Sequence, residues 1–464
     1  MNRTLYGNIM SCRVRQIRGG YVAVLSLSVM VLLFMLMKQK NIDGVAAYGS
    51  HEDVEDSRRQ SLKAFLSSDN TTCRDLTKGH ISSQKNVQLA MAELQKHLLP
   101  DTAFVHLTQN CTQFANEGGY TNKQVTKEEE DFPLAFGIIM YKSAQQVEQL
   151  LRTIYRPHNI YCIHVDSKSS GELHKAMQAI SSCFDNVFIA SKSERVVWGS
   201  MSIVQAEMHC HEDALERNKK WKYFINLTGQ EFPLKTNLEI VQILKTFNGQ
   251  NDIATGGEPF FFRVKFKHRV LFDYMVMTPL FKTEPIPGNI SLHRGELHSA
   301  LTRDFIAYLH SDELAIKFYD WVRDTRIPDE TFYQSLSYLR EAPGGPGPRK
   351  ILALVSRAKN WKPLGLPCHG KYVRNVCVFS WKDLLWLQSR PQLFANKFHI
   401  NDDALVLQCL EEEINHRTLH PVKLNFELYE HFVENRYWPD TMNQWYFIDM
   451  SGDVIFVRKA SYCI

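Results

Sequence analysis

Glu330 lies in the run RDTRIPDETFYQSL, residues 323–336, directly after Pro328-Asp329 and ahead of an aromatic-rich helical pattern. A carboxylate at a helix start has two uses. Proline at the first helical position and acids in the first turn suit the positive end of a helix dipole, which makes Glu330 a capping residue. A carboxylate held rigidly there can equally take a proton from an alcohol. The local sequence leaves both open. Asp166 closes the apolar run IYCIHVD and either holds a turn or touches a ligand. The segment HCHEDALE gathers His209, His211, Glu212 and Asp213, but zinc ligands on a helix want i, i+4 spacing on one face. No Gly-x-Ser-x-Gly elbow supports a serine nucleophile, no Cys-x-x-Cys pair supports zinc, and no two aspartates stand two apart.

Such side chains need a scaffold, and residues 131–434 read as one. PLAFGIIM is a buried-strand run followed by a helical stretch near residues 144–155. IYCIHVD, NVFIAS and KYFINLTG are three further strands, separated by GELHKAMQAISSC and MSIVQAEMHCHEDALER as helices. Strands alternating with helices of this length predict an α/β fold with a mainly parallel sheet covered on both faces. Ligands of such sheets bind at the carboxyl ends of the strands, which is where Asp166 falls. Beyond residue 249 the pattern breaks into shorter mixed segments, and residues 435–464 form an extension with a predicted β-hairpin around Ser451-Gly452.

The rest of the chain bounds the compartment. A formal charge of +4 over 464 residues, without a dense basic run, gives no case for nucleic acid. Residues 21–37, YVAVLSLSVMVLLFMLM, are uncharged and of roughly membrane-spanning length. Arg13, Arg15 and Arg18 precede them and no Ala-x-Ala site follows, so the expectation is a retained signal anchor with residues 1–20 cytosolic and the body lumenal. Residues 38–130 are polar and read as a stem and lumenal N-terminal segment. Ten cysteines suit an oxidising lumen. Asn70, Asn110 and Asn289 begin usable Asn-x-Ser/Thr sequons. Asn226 begins another but lies inside a predicted buried strand, where it is expected to stay unmodified.

With these pieces in place, the chain from about residue 73 to 410 resembles the core 2/I-branching β-1,6-N-acetylglucosaminyltransferases, glycosyltransferase family 14. The matching stretches are IYCIHVDSKS, WKYFINLTGQEFPLKTNLEIV, IPDETF, YVRNVCVF, LFANKF and LQCLEE. The peptide O-xylosyltransferases share that fold and are the nearest rival reading. A Golgi protein that kept the fold as a glycan-binding module without turnover is a third.

The resemblance implies a GT-A-like fold and a single-pass type II protein of the Golgi membrane. It also implies inverting transfer of N-acetylglucosamine from UDP-N-acetylglucosamine to a glycoprotein or glycolipid glycan, with no metal cofactor. Glu330 matches the family's catalytic base. Arg374 and Lys397 match the cations that clamp the diphosphate, which fits the missing Asp-x-Asp. Ile139 and Asp166 match positions contacting the uridine part of the donor. Glu258 and Trp361 stand where acceptor contacts are expected, in a stretch, GGEPFFFRVKFKHRV, that departs from the family's pattern. Its basic residues Arg263, Lys265, Lys267 and Arg269 read as a solvated or acceptor-facing surface. The disulfides implied are Cys73–Cys409, Cys111–Cys183, Cys162–Cys210 and Cys368–Cys377, leaving Cys463 free or able to link two copies.

Overall fold

The computed structural model describes residues 71–79, 84–121, 123–345 and 354–435, together with the backbone of two strands near the C-terminus. Residues 21–37, Asn70 and Cys463 lie outside the described residues, and among these no helix is long and apolar enough to cross a membrane.

The central sheet is built from β1 (Leu134–Met140), β2 (Ile160–Val165), β3 (Val187–Ile189), β4 (Tyr223–Thr228), β6 (Asp252–Ile253) and β9 (Ser299–Thr302). Its order is β3-β2-β1-β4-β9-β6. The first four strands are parallel, while β9 runs antiparallel to both its neighbours. The mainly parallel reading therefore holds, with a mixed edge built from the less regular part of the sequence. Side chains alternate between two cores, as the two-residue period of a strand requires. Phe136, Ile138, Tyr161, Ile163 and Ile225 enter one core, with Val147, Leu150 and Met177 of the helices Ala144–Ile154 and Gly171–Ser181. Ala135, Cys162 and Phe224 enter the other, with Val204, Phe305 and Phe318 of the helices Ser202–Arg217, Arg303–Ser311 and Glu313–Val322. A glycine is needed at position 137, since a Cβ there would lie 2.4 Å from the Phe224 ring.

Local chemistry sets the helix starts. Ser143, Ser170 and Thr236 each accept a bond from a backbone N–H in the first turn, and Thr236 completes a capping box with Glu239. Helices at Thr71–Thr77 and Gln84–Lys96 contribute Cys73, Leu76, Val87 and Leu94 to the same core as the sheet. From residue 71 onward the segment expected to include the stem is therefore packed body. Disulfides join Cys73 to Cys409, Cys111 to Cys183, Cys162 to Cys210 and Cys368 to Cys377, the four pairs that the resemblance implies. Asn110 and Asn289 are exposed, whereas Asn226 is 5% exposed and its side chain bonds Glu207, Leu297 and Ser299. Its sequon is closed by packing. At the C-terminus Gln444–Ile448 pairs antiparallel with Val454–Arg458, the hairpin expected around Ser451-Gly452.

A second, three-stranded sheet carries one polar node. It consists of β5 (Glu231–Pro233), β10 (Arg357–Ala358) and β13 (Phe394–Asn396), in the order β10-β13-β5. Here Arg357 Nε donates to Glu231 Oε2 at 2.8 Å, with both side chains fully buried. Asn396 Nδ2 donates to Glu231 Oε1 at 3.0 Å, and His298 Nε2 lies 2.6 Å from the same oxygen. Burial alone would raise the Glu231 carboxyl, but Arg357 and His298 outweigh it and hold it at about 2. Removing one partner would strand a buried charge. Arg357→Leu is expected to lose about 3–5 kcal/mol of stability in urea unfolding; a loss under about 1 kcal/mol, the range of an exposed pair, would show that the node is not structural.

Candidate active site

Arg374 and Lys397 owe their positions to two short devices. Arg374 and Asn375 are the two central residues of the hairpin between β11 (Lys371–Val373) and β12 (Val376–Val378), with φ of 52° and 64°. Two consecutive left-handed residues make a primed turn, which matches the twist of a tight hairpin. Cys368–Cys377 links this hairpin to the loop before it. Lys397 directly follows β13, whose last residue is the Asn396 held by Glu231. Its Nζ donates to the Val373 carbonyl at 3.4 Å, one residue before Arg374. The two cations therefore converge.

Other positive groups join them. Burial lowers the pKa of Lys397, and the charges of Arg374, Lys359 and Lys142 lower it further. Lys359 pairs with Glu296 at 2.7 Å. Lys142 follows the carboxyl end of β1, and no ion pair of Lys142, Arg374 or Lys397 occurs among the described residues. The Arg374 guanidinium lies 5.7 Å from the Trp198 ring centroid, and Arg326 lies 6.0 Å from the same ring. Trp198 thus bridges the cation cluster to the chain that leads into Glu330.

That chain is bent sharply. Ile327 sits at φ 56°, ψ 58°, and its N–H donates to the Gly199 carbonyl at 2.8 Å. A β-branched residue in the left-handed region is a strained conformation, of the kind that clusters at functional sites. Pro328–Glu330 then forms a single 3₁₀ turn, and Thr331 breaks it from the helix Phe332–Ser337. The predicted helix start is therefore two pieces with a kink between them. The Glu330 carboxylate turns to Arg263, whose Nη1 donates to its Oε2 at 2.6 Å. Glu330 is 33% exposed through its side chain, so solvent and a ligand can reach it. Beneath the turn, burial first and the Glu330 charge second raise Asp329 to about 7. Burial also raises Glu207 to about 8, while Asn226 Nδ2 donates to its Oε1 at 2.6 Å.

The remaining predicted positions fall around this mouth. Asp166 is buried at the end of β2, and its Oδ1 accepts from the N–H of Lys168 at 3.0 Å and of Val196 at 3.3 Å. That is the turn role left open by the sequence, and it leads the loop toward Trp198. Ile139 is half-buried at the carboxyl end of β1, next to Met140, whose carbonyl accepts from Asp166 N–H. Glu258 is exposed on a loop whose Gly257 bonds Arg294, beside Gly295, which donates to the Glu330 carbonyl at 2.8 Å. Trp361 is partly exposed, bridges to Val376 behind Arg374, and carries Lys359 Nζ 5.6 Å from its ring. The histidine group of HCHEDALE separates: His209 bonds Glu194 at 2.8 Å, while His211 is buried edge-on against Phe224.

Trp198, Lys142 and Lys359 were not singled out for this site by sequence reasoning, and Arg263 only within a basic run read as solvated or acceptor-facing. Lys142 had a signal, because it sits just past a predicted strand's carboxyl end. The pairing of Arg263 with Glu330 had none, since the two are 67 residues apart.

A mainly parallel α/β sheet with a cation cluster and a reachable carboxylate near its carboxyl edge fits a GT-A-like glycosyltransferase. The comparisons agree. The core-2/I-branching enzyme model matches residues 134–388. A human β-1,3-galactosyl-O-glycosyl-glycoprotein β-1,6-N-acetylglucosaminyltransferase is 33% identical over 386 residues, covering 79% of this chain and 90% of the relative. A human N-acetyllactosaminide β-1,6-N-acetylglucosaminyltransferase is 39% identical over 326 residues, covering 67% of this chain and 79% of the relative. The chain belongs to the core-2/I-branching enzyme family.

A carboxyl that stays protonated to about 8 when folded but ionises near 4.5 when unfolded favours unfolding increasingly as pH rises between those values. Glu207→Gln removes that penalty. The melting temperature of Glu207→Gln, relative to the unsubstituted protein, should rise from about pH 5 to about pH 8. A difference that is flat over this interval would contradict a buried, protonated Glu207.

Proposed function

We propose that this protein transfers N-acetylglucosamine from UDP-N-acetylglucosamine to a 6-hydroxyl of a glycan acceptor, forming a β-1,6 branch with inversion and without a metal ion. The acceptor class follows the names of the relatives: O-linked glycans bearing β-1,3-galactose, or N-acetyllactosamine chains. On the anchor reading of residues 21–37, the reaction takes place in the Golgi lumen.

The observation that carries this reading is the convergence of Arg374 and Lys397, with Arg326, on the chain leading into Glu330, sharing the Trp198 ring with Arg374. A diphosphate leaving group needs its developing negative charge neutralised, and fixed cations do this by charge-assisted hydrogen bonds. Lys397 already carries the repulsion of its neighbours, so an anion placed between them relieves it. Glu330 takes the proton. Arg263 donates to Oε2 and orients the carboxylate, which leaves Oε1 to the acceptor hydroxyl. As the acceptor O–H proton passes to Glu330, the acceptor oxygen bonds to the anomeric carbon and the carbon–oxygen bond to the diphosphate breaks. UDP departs toward Arg374 and Lys397. A single displacement turns an α donor into a β product. Glu258 and Trp361 contribute acceptor contacts in this scheme, the first through its loop beside Glu330 and the second as an aromatic platform beside Lys359.

Two substitutions separate the roles. Glu330→Gln is expected to lower kcat by about 10²–10⁴ with UDP affinity kept, measured by UDP release on the full chain. Activity per folded molecule that is unchanged would return Glu330 to a capping role. Arg374→Ala and Lys397→Ala are each expected to lower kcat/KM by about 10²–10³, with turnover of the unsubstituted chain surviving excess chelator. An absolute requirement for manganese would overturn the side-chain clamp.

A further inference from the structure

The segment between Phe260 and Lys282 forms the most exposed apolar surface among the described residues, and apart from Arg263 the transferase reading makes no use of it. Phe266–Leu271 (β7) and Tyr274–Phe281 (β8) pair as a two-stranded ribbon. Its turn places Phe272 and Asp273 at φ 48° and 64°, a second primed turn. Phe272 is 94% exposed and Tyr274 74%. The register puts Leu271, Tyr274 and Val276 on one face and Val270, Met275 and Met277 on the other. Exposed apolar side chains stand on both faces, joined at the base by Phe260, Phe261, Phe262, Leu280 and Phe281.

Charge narrows what could cover such a ribbon. From Phe260 to Lys282 the chain carries five cations and one anion, Asp273; Arg263, Lys267 and Lys282 pair with Glu330, Glu284 and Asp324, and Asp273 with Arg195, which leaves Lys265 and Arg269 exposed without an ion pair among the described residues. A second copy packed ribbon to ribbon would bring these unpaired cations together at a cost in like-charge repulsion. A flat protein partner covers one face of a ribbon and leaves the other in water. A lipid bilayer surrounds an inserted ribbon, takes up apolar side chains on both faces, and places aromatic rings at the headgroup level with lysine and arginine reaching anionic phosphates.

We propose that the Phe266–Phe281 ribbon docks the catalytic body onto a lipid bilayer, with Phe272 and Tyr274 seated in the interface. The ribbon's ends are fixed to the site. At its base Arg263 holds Glu330 at 2.6 Å. At its tip Asp273 accepts two bonds from Arg195, at 2.9 and 2.6 Å, on the loop that bonds Asp166. Docking therefore sets the mouth of the site beside the membrane, where acceptors carried on lipid or membrane protein are concentrated. Only the nearness of a bilayer rests on the anchor reading of residues 21–37; flotation of the chain with vesicles scores that separately.

The test uses the full chain reconstituted into phosphatidylcholine vesicles, with and without phosphatidylserine, carrying ordinary or dibrominated acyl chains. The first 64 residues contain no tryptophan, so quenching by bromine reports on the body alone. Phe272→Trp and, independently, Leu280→Trp each add an indole to the eight present. The emission added by each indole is expected to shift blue and to fall roughly twofold or more in brominated vesicles, as for a side chain seated about 5–10 Å into the interface. The fall should be larger with phosphatidylserine and smaller at high salt. Added emission that stays unshifted and unquenched in both variants overturns the proposal. So does a cross-link between copies through this ribbon with no quenching. Neither readout depends on sugar transfer, so failure of the transferase reading would leave this result standing.

Discussion

Like charges repel, and Lys397 is held half-buried in the field of Arg374, Lys359 and Lys142. A fold tolerates that arrangement only where other contacts force it. Here the forcing group is the buried Glu231, which grips Arg357 of one strand and Asn396 of the next. Lys397 follows Asn396 directly, so a fully paired, buried ion pair sets the place of a cation that has no carboxylate partner among the described residues. The primed turn at Arg374-Asn375 supplies the second cation from a separate hairpin. The energy of the interior is thus converted into an unsatisfied positive surface off the sheet, which is what an incoming diphosphate requires in the proposed reaction.

The carboxylate side of the site obeys a related logic. Asp329 and Glu207 lie buried beneath Glu330, and both are pushed toward the neutral form, to about 7 and about 8. Both acids are thus biased toward the neutral form beneath the turn, and Arg263 pairs with the Glu330 carboxylate from outside. The strained Ile327 fixes the direction in which the turn leaves its strand of chain. Trp198 then lies between the two halves, under Arg374 and Arg326 together. One exposed indole connects the cation cluster to the chain that leads into Glu330.

Much of the fold was legible because it rests on short-range patterns. The strands β1, β2 and β4 are apolar runs of the right length, and both their burial and their parallel pairing follow from helices placed between them. Asn226 was readable as buried from its neighbours alone. Glu330, Arg374 and Lys397 were recognisable through family motifs, yet their physical support was not. The Arg263–Glu330 pair and the Glu231–Arg357 node join residues far apart in sequence, and no spacing rule announces such contacts. The kink at Ile327 was likewise hidden, since Pro328 reads as an ordinary helix start. The basic run after Glu258 looked like a solvated or acceptor-facing surface; its first member folds inward onto Glu330, and the rest decorates an apolar ribbon.

In the proposed reaction two side-chain cations, in place of a metal ion, receive the diphosphate. A crystal of the protein soaked with UDP in the presence of chelator tests it most directly. The account predicts both phosphates within hydrogen-bonding distance of the Arg374 guanidinium and the Lys397 ammonium, with Glu330 on the opposite side of the sugar position. Nucleotide bound with those two side chains turned away from the phosphorus atoms would contradict it.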